Sequence, residues 1–319
     1  SGISTPCVPS SPTRSQLLKK PSIFSLMPPT GSTSPLALSE PVTAMPCATG
    51  TALTTQYPAP ESYIFRVQGR DGLQAPFVVD DLLKRGWDRV AIFADTTGYG
   101  EGGTRDVIAA LAAKNLKPVH VARFALGVKD LGDELKAARA AGANVIFSYT
   151  VGPEEAVIAN SRKDIGWKVP LVGAWPLSFP FFIDGAKDAA EGALMAQTFI
   201  AEPSNERRAS FLSSYTRKYQ GKVAVPMAAA NAYDATYLLM YSFLGIRDGN
   251  LNGKAIKESL EGKMKTYYGV VTTYDKPFSA QDKDAITRNM LVMGMVKNGA
   301  ITFAYPEDAK RNLIVQRKQ

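Results

Sequence analysis

The chain has 319 residues, 45% of them hydrophobic and 21% charged, with 37 Lys and Arg against 29 Asp and Glu for a formal net charge of +8. That composition supplies material for real cores and excludes a fully disordered protein, and the lack of any run of ~18 apolar residues excludes a spanning helix. A single histidine, His120, and two cysteines, Cys7 and Cys47, exclude multi-histidine and four-thiolate metal sites and leave His120 as the one imidazole for a Ser-His-Asp or Cys-His catalyst.

Residues 1–60 are poor in charge (Arg14, Lys19, Lys20 and Glu40) and rich in Pro, Ser and Thr. Pro6, Pro9 and Pro12, then Pro28, Pro29, Pro35 and Pro41, argue against a long helix or a central strand, and this composition buries no core by itself. The segment does not read as a secretory signal, because no basic region precedes an uninterrupted apolar stretch. Cys7 and Cys47 are compatible with one disulfide or with none.

From Glu61 the text becomes regular α/β. Strand Ser62–Val67 precedes helix Gly72–Arg85, whose Ala75, Val78, Val79, Leu82 and Leu83 share a face. Strand Arg89–Ala94 is followed by helix Gly102–Lys114, strand Pro118–Arg123 by helix Leu131–Ala141, and strand Asn144–Tyr149 by helix Pro153–Ile165. Short strands Pro170–Gly173 and Ala193–Phe199 come next, then helices Asn205–Tyr219, Pro226–Leu244 and Gly253–Glu261. Tyr268–Tyr274 and Met290–Lys297 read as strands, the latter paired with Ala300–Ala304 across the two-residue turn Asn298-Gly299. Repeated βα units with short loops predict parallel sheet covered by helices on both faces.

Gly98-Tyr99-Gly100-Glu101-Gly102-Gly103 spells G-x-G-x-x-G after a strand, the context of a dinucleotide fingerprint. No acidic residue closes the next strand, which ends Val121-Ala122-Arg123, and Glu101 would repel a pyrophosphate. The segment therefore reads as a glycine turn that lets the backbone approach something else. Asp95–Gly100, Val151-Gly152-Pro153 and Ala174-Trp175-Pro176 all follow strand C-termini, where open α/β sheets bind ligands. Tyr99 and Trp175 are pocket-wall candidates there, against the plainer readings of a loop aromatic and a hydrophobic plug. The Pro46–Thr54 loop is rich in small hydroxyl residues and suits a carboxylate, or is simply a loop. The rim acids Asp95, Glu101, Glu154 and Glu155 read as helix-start charges, with no catalytic pair among them. Lys and Arg are scattered without interleaved aromatics, as on solvated faces, so no nucleic-acid footprint is expected; a mildly basic surface suits small organic anions.

Taken together, Phe65-Arg66-Val67 with Asp71 and Gln74, Leu82–Trp87, Asp95–Gly102, Gly142–Tyr149, Gly152-Pro153-Glu154, the Gly173 loop and Ala190-Glu191-Gly192 carry a resemblance. From about Met45 to Gln319 the chain resembles the periplasmic solute-binding proteins of ABC transporters, in the branched-chain amino acid (Leu/Ile/Val-binding) class. The resemblance implies an α/β fold of two doubly wound parallel-sheet lobes joined by a hinge and closing on a small ligand without chemistry. Lobe one is expected to take residues 1–70 and 200–287, and lobe two residues 71–199 and 288–319. The first lobe looks incomplete or atypical, because residues 1–45 do not match; a fragment or a garbled segment is the expectation there.

The family's binding hydroxyl falls on Thr49, in a loop with Cys47, Ala48 and Gly50; an earlier serine loop falls on Ser32. Its D-x-x-x-Y-G tyrosine falls on Tyr99, next to Gly98, and a second tyrosine falls on Val151. An aromatic falls near Ala228, and the acid that holds a ligand ammonium falls on Trp175. Trp offers an indole donor and an apolar face instead of a charge, so the resemblance points to an aromatic or branched aliphatic carboxylate, with a branched-chain amino acid as the family's own class. The implied protein is a non-enzymatic periplasmic monomer that works with a membrane permease, without cofactor, metal or nucleic acid. A ligand-sensing regulatory domain on the same fold is the alternative, and an NAD(P)-dependent enzyme a weaker one.

Overall fold

A computed structural model describes residues 24–26, 42–202, 205–249, 251–264, 266–311 and 318. The chain divides into two compact units. Unit 1 takes Ser1–Arg70, Pro203–Met290 and Asn312–Gln319, and unit 2 takes Asp71–Glu202 and Leu291–Arg311. The sequence reading put all of 288–319 in lobe two; at its described residue, Lys318, the tail is instead held by unit 1. The Lys318 ammonium donates to the carbonyl of Pro277 at 2.6 Å and to that of Asp284, and pairs with Asp282 at 2.8 Å.

Unit 2 is built on a sheet of β4 (Val90–Asp95), β5 (His120–Phe124), β6 (Val145–Tyr149), β7 (Leu171–Gly173), β8 (Leu194–Gln197), β11 (Val292–Lys297) and β12 (Ala300–Phe303). Their order is β12-β11-β8-β7-β6-β4-β5; β4 to β8 are parallel, and β11 and β12 add an antiparallel edge. α1 (Asp71–Lys84) leads into β4, and between the parallel strands run α2 (Gly98–Ala112), α3 (Gly132–Ala140), α4 (Glu154–Asp164) and α5 (Pro180–Ala186). One core joins Ala91 and Phe93 of β4 and Ile146 of β6 to Leu135, Ile158 and Phe182 of α3, α4 and α5. The alternate residues Val90, Ile92 and Ala94, fully buried as well, point to the opposite face because strand side chains alternate. The chain runs from β4 outward to β5, then returns to place β6 on the other side of β4. The order therefore reverses between β4 and β6, and Asp95 and Tyr149 end those two strands.

The C-terminal hairpin closes unit 2 through specific contacts. Tyr305 donates to Asp81 of α1, and Arg85 reaches both Tyr305, at 2.9 Å, and Asp81, at 2.7 Å. Asn298 and Gly299 turn with positive φ of 52° and 69°, and both their amides donate to Glu191, at 2.9 and 2.8 Å.

Unit 1 contains β1 (Phe24–Leu26), β2 (Val42–Met45) and β3 (Ile64–Arg66), paired in parallel with β2 in the middle. β2 lies within the stretch expected to hold no central strand. It forms because Pro41 and Pro46 bracket it, so Val42-Thr43-Ala44-Met45 keeps every ladder donor, and Met45 packs with Ala48 and Ile64. Helices α6 (Glu206–Tyr219), α7 (Pro226–Leu244) and α8 (Gly253–Glu258) follow. The expected strand Tyr268–Tyr274 is a hairpin, β9 (Tyr267–Tyr268) against β10 (Thr273–Tyr274). Asp234 of α7 organises its turn: it accepts from the amides of Val270 and Val271 at 2.8 and 2.9 Å and from the hydroxyls of Tyr267 and Tyr274. Arg208 of α6 donates to the carbonyls of the same two residues.

The Gly98–Gly103 stretch is not a loop: α2 begins at Gly98, capped by Thr97. Glycine is needed there by neighbours rather than by conformation. A Cβ on Gly100 would lie 2.1 Å from the Asp95 carbonyl oxygen, and one on Gly103 would lie 1.9 Å from the Tyr149 ring, whereas Gly102 faces only the end of Arg105 at 3.8 Å. Urea unfolding should therefore separate two alanine variants. Gly103→Ala is expected to destabilise the protein by about 1–3 kcal/mol through overpacking, and Gly102→Ala to stabilise it by about 0.5–1 kcal/mol through helix propensity. Equal effects would refute the packing explanation.

Candidate functional site

The rim of unit 2 is organised by Asp95, the last residue of β4, which is fully buried. One carboxylate oxygen accepts from the Thr97 amide at 2.8 Å and from the Thr97 hydroxyl. The other accepts from the Thr150 hydroxyl at 2.6 Å and the Val151 amide at 3.2 Å. The group thus ties the start of α2 to the segment after β6, across the point where the strand order reverses. It is a structural tie and not the helix-start charge expected from the sequence.

The other rim acids also have partners. Glu101 pairs with Arg123 at the end of β5. Glu154 accepts from the Gly127 amide at 2.7 Å, a turn with φ of +87°. Glu155 folds back to the Ser148 hydroxyl of β6. Burial pushes its carboxyl up to about 8, against the lowering effect of the Ser148 hydroxyl and the Thr150 backbone. The Asp71 carboxylate at the start of α1 is buried beside the Tyr149 hydroxyl; burial first, then the charge of Asp71, raises the Tyr149 phenol well above its ordinary value.

Tyr99 lies in the first turn of α2, half-buried, its ring 5.1 Å from that of Tyr149. Tyr149 stacks in turn on Phe147 at 6.0 Å and 11°. Trp175 opens a short 3-10 turn, Trp175–Ser178, two residues beyond β7. It is 5% exposed, its ring meets Phe179 edge-on at 4.7 Å, and its amide donates to Gln74 of α1 at 3.2 Å. Because β7 pairs with β6 at Ser148 and Gly173, Thr150, Val151 and Trp175 leave the sheet at one end. Gly98, Tyr99, Val151 and Trp175 are therefore brought to a single rim.

Cys47, Ala48, Thr49 and Gly50 belong to unit 1, in the loop after β2. Thr49 is 3% exposed, and Cys47 is disulfide-bonded; the sequence has one other cysteine, Cys7, which lies outside the described residues. The loop's carbonyls point at Arg66 of β3, from Thr49 at 2.6 Å and from Gly50 at 3.0 Å. Ala228 is buried in the first turn of α7, also in unit 1. Ser32 lies outside the described residues.

Sequence reasoning passed over the side chains that hold these loops: Asp95 as a tie, Thr150, Gln74 and Arg66. Arg66 carried a signal, since a cation within Ile64-Phe65-Arg66-Val67 must find a buried partner. Asp71 and Gln74 carried another, being three apart and so on one helix face. Among the described residues no group of three or more His, Cys, Asp or Glu could hold a metal ion, and no helix is long and apolar enough to cross a membrane. His120 sits away from the rim, 3.3 Å from Glu134.

A sequence model of the periplasmic binding protein family matches residues 15–300, so the likeness begins well before Met45, where the sequence reading placed its start. A Leu/Ile/Val-binding protein homologue of Brucella melitensis is 31% identical over 134 residues, 42% of this chain; the match spans only 36% of that relative's length. A type 1 periplasmic binding protein from Bordetella pertussis superposes with a TM-score of 0.71 at 22% identity, covering 82% of this chain and 73% of that one. A leucine-binding protein from Thermotoga maritima gives 0.68 at 23%, covering 84% and 74%. A solute-binding protein of an ABC transporter from Rhodopseudomonas palustris, solved in complex with benzoate, gives 0.65 at 14%, covering 83% and 70%. These structural likenesses show the fold.

The buried Glu155 makes a pH test of the rim. Its folded value lies above the unfolded one, near 4.5, so its contribution is fully present below that value and is lost as pH rises through about 8. Chemical denaturation from pH 5 to 9 should show stability falling across this window, and Glu155→Gln should flatten the fall. An equally steep fall in the variant would refute the assignment.

Proposed function

The chain belongs to the periplasmic binding protein family, matched over residues 15–300, and from that premise we propose that it is the solute-binding component of an ABC importer that captures a small organic acid outside the cytoplasmic membrane. The proposed ligand is an aromatic or branched aliphatic carboxylate. The Thr49 loop is the proposed seat of its anion, and Tyr99 and Trp175 are the proposed contacts for its apolar body. It would act with a permease, without chemistry on the ligand. The disulfide at Cys47 suits an oxidising compartment.

One observation carries the ligand class: each rim acid is already engaged within unit 2. Asp95 is held by Thr97, Thr150 and Val151, Glu101 by Arg123, Glu154 by Gly127, and Glu155 by Ser148, while Asp71 lies against Tyr149. Trp175 stands where an ammonium would need a charge. A plain carboxylate avoids burying a cation that lacks a partner. The benzoate in the Rhodopseudomonas palustris protein is consistent with this reading.

Calorimetry with benzoate, 4-methyl-2-oxopentanoate and leucine tests it. We expect at least one plain acid to bind more tightly than leucine. Trp175→Glu should shift the preference toward leucine by about tenfold or more, as a charge-assisted bond of ~1.5–3 kcal/mol requires. Tyr99→Ala should weaken binding without unfolding either unit. Micromolar leucine binding with no detectable binding of either acid would overturn the ligand class.

A further inference from the structure

We propose that Arg66 is a positioning residue for the ligand anion: it fixes the Thr49–Gly50 loop from beneath and makes that loop electropositive. The inference rests on the reading that this loop receives a carboxylate, and adds the residue that makes it able to do so.

Arg66 ends β3 and is 0% exposed. Its guanidinium is spread over the whole base of the loop. One terminal nitrogen donates to the carbonyls of Thr49 and Gly50, at 2.6 and 3.0 Å, and the other to the Thr54 hydroxyl. The remaining nitrogen lies 2.8 Å from Asp284. Thr54 donates onward to the same carboxylate at 3.0 Å, so the ring of contacts closes. The backbone on both sides is tied too: the Arg66 amide donates to Lys283 and the Ala285 amide to Arg66, each at 2.8 Å. A planar five-donor fork suits this arrangement, and a lysine would not reproduce it.

Two consequences follow for the loop. A trans peptide points its C=O and the next N–H in opposite directions. With the Thr49 carbonyl turned to Arg66, the N–H of Gly50 points away from it, the orientation an anion-receiving loop requires. The charge balance also favours an anion. Asp284 is shared by Arg66 and by Arg70, whose guanidinium is 3.4 Å away, so the cluster of these three groups carries a net positive charge. Arg66 does not touch the ligand in this scheme; it acts through the loop.

The test has a ligand-free arm and a binding arm, both on the full chain. In the first, amide hydrogen exchange is compared between wild type and Arg66→Met. Faster exchange is expected at residues 47–54 with the β4 and β6 amides unchanged; an unchanged loop overturns the proposal. Because Arg66→Met leaves Asp284 buried without its main partner, the double variant Arg66→Met/Asp284→Asn is measured beside it and judged by the same criterion should the single variant not fold. In the second arm, benzoate and leucine are titrated by calorimetry, since both carry a carboxylate. Whichever of them wild type binds should lose about tenfold or more in affinity in Arg66→Met and less in Arg66→Lys. The preference for benzoate over neutral benzamide should shrink in folded Arg66→Met, which takes the Arg66–Arg70–Asp284 cluster from net positive to neutral, and persist in the double variant, which leaves that charge unchanged; a merely structural role would not produce this split. Affinity within about twofold of wild type in folded Arg66→Met overturns the proposal. Should wild type bind neither probe, the ligand class proposed above fails, and the exchange arm alone judges Arg66.

Discussion

The carboxylate of Asp95 is the constraint on which unit 2 depends. Parallel strands are held by ladder bonds along their length, but beyond their ends the chain has no ladder to follow. Asp95 supplies the missing connection where β4 and β6 part, taking donors from Thr97 on one side and from Thr150 and Val151 on the other. Its own backbone is equally constrained, since Gly100 must pass against the Asp95 carbonyl with no room for a side chain. Tyr149 repeats the demand one turn further along α2, at Gly103. A spacing that imitates a phosphate-binding fingerprint is thus accounted for by two close contacts within one unit.

Unit 1 uses the same physics elsewhere. A loop backbone is grasped by buried charge, through Arg66 on the Thr49 and Gly50 carbonyls, and through Asp234 and Arg208 on the amides and carbonyls of Val270 and Val271. Burying an ionised group is unfavourable unless its hydrogen bonds are satisfied. Loops held this way therefore have one geometry in which the charge is satisfied and many in which it is not.

How far the sequence spoke differs from element to element. The βα alternation was legible from Ser62 to Phe199 because each strand is a short apolar run and each helix shows an apolar face. The pairing at Asn298-Gly299 was legible because the dipeptide has few other uses. The start of α2 was misplaced because four glycines argue against a helix on propensity alone, and the contacts that account for Gly100 and Gly103 come from the ends of β4 and β6. The segment Trp175–Ala190 gave no periodic signal and folded as short helical turns around Trp175 and Phe179. The strand Val42–Met45 was hidden by its flanking prolines. At the rim, aromatic positions could be read from strand ends. The ties between them could not, because which residue of β6 stands beside Asp95 is a matter of register between strands distant in sequence.

Every partner of Asp95 named above lies in its own unit, and this bears on entropy. Fixing a residue's backbone in one conformation costs roughly 1–2 kcal/mol. For Asp95–Tyr99 and for Thr150–Val151 that cost is incurred when unit 2 folds, before any ligand arrives. A ligand that meets this rim is received by atoms already in place, so the free energy of its contacts is not consumed in ordering them. On the proposed function, the rim would act as a preformed template, and discrimination between ligands would fall to shape and charge rather than to adaptation of the chain.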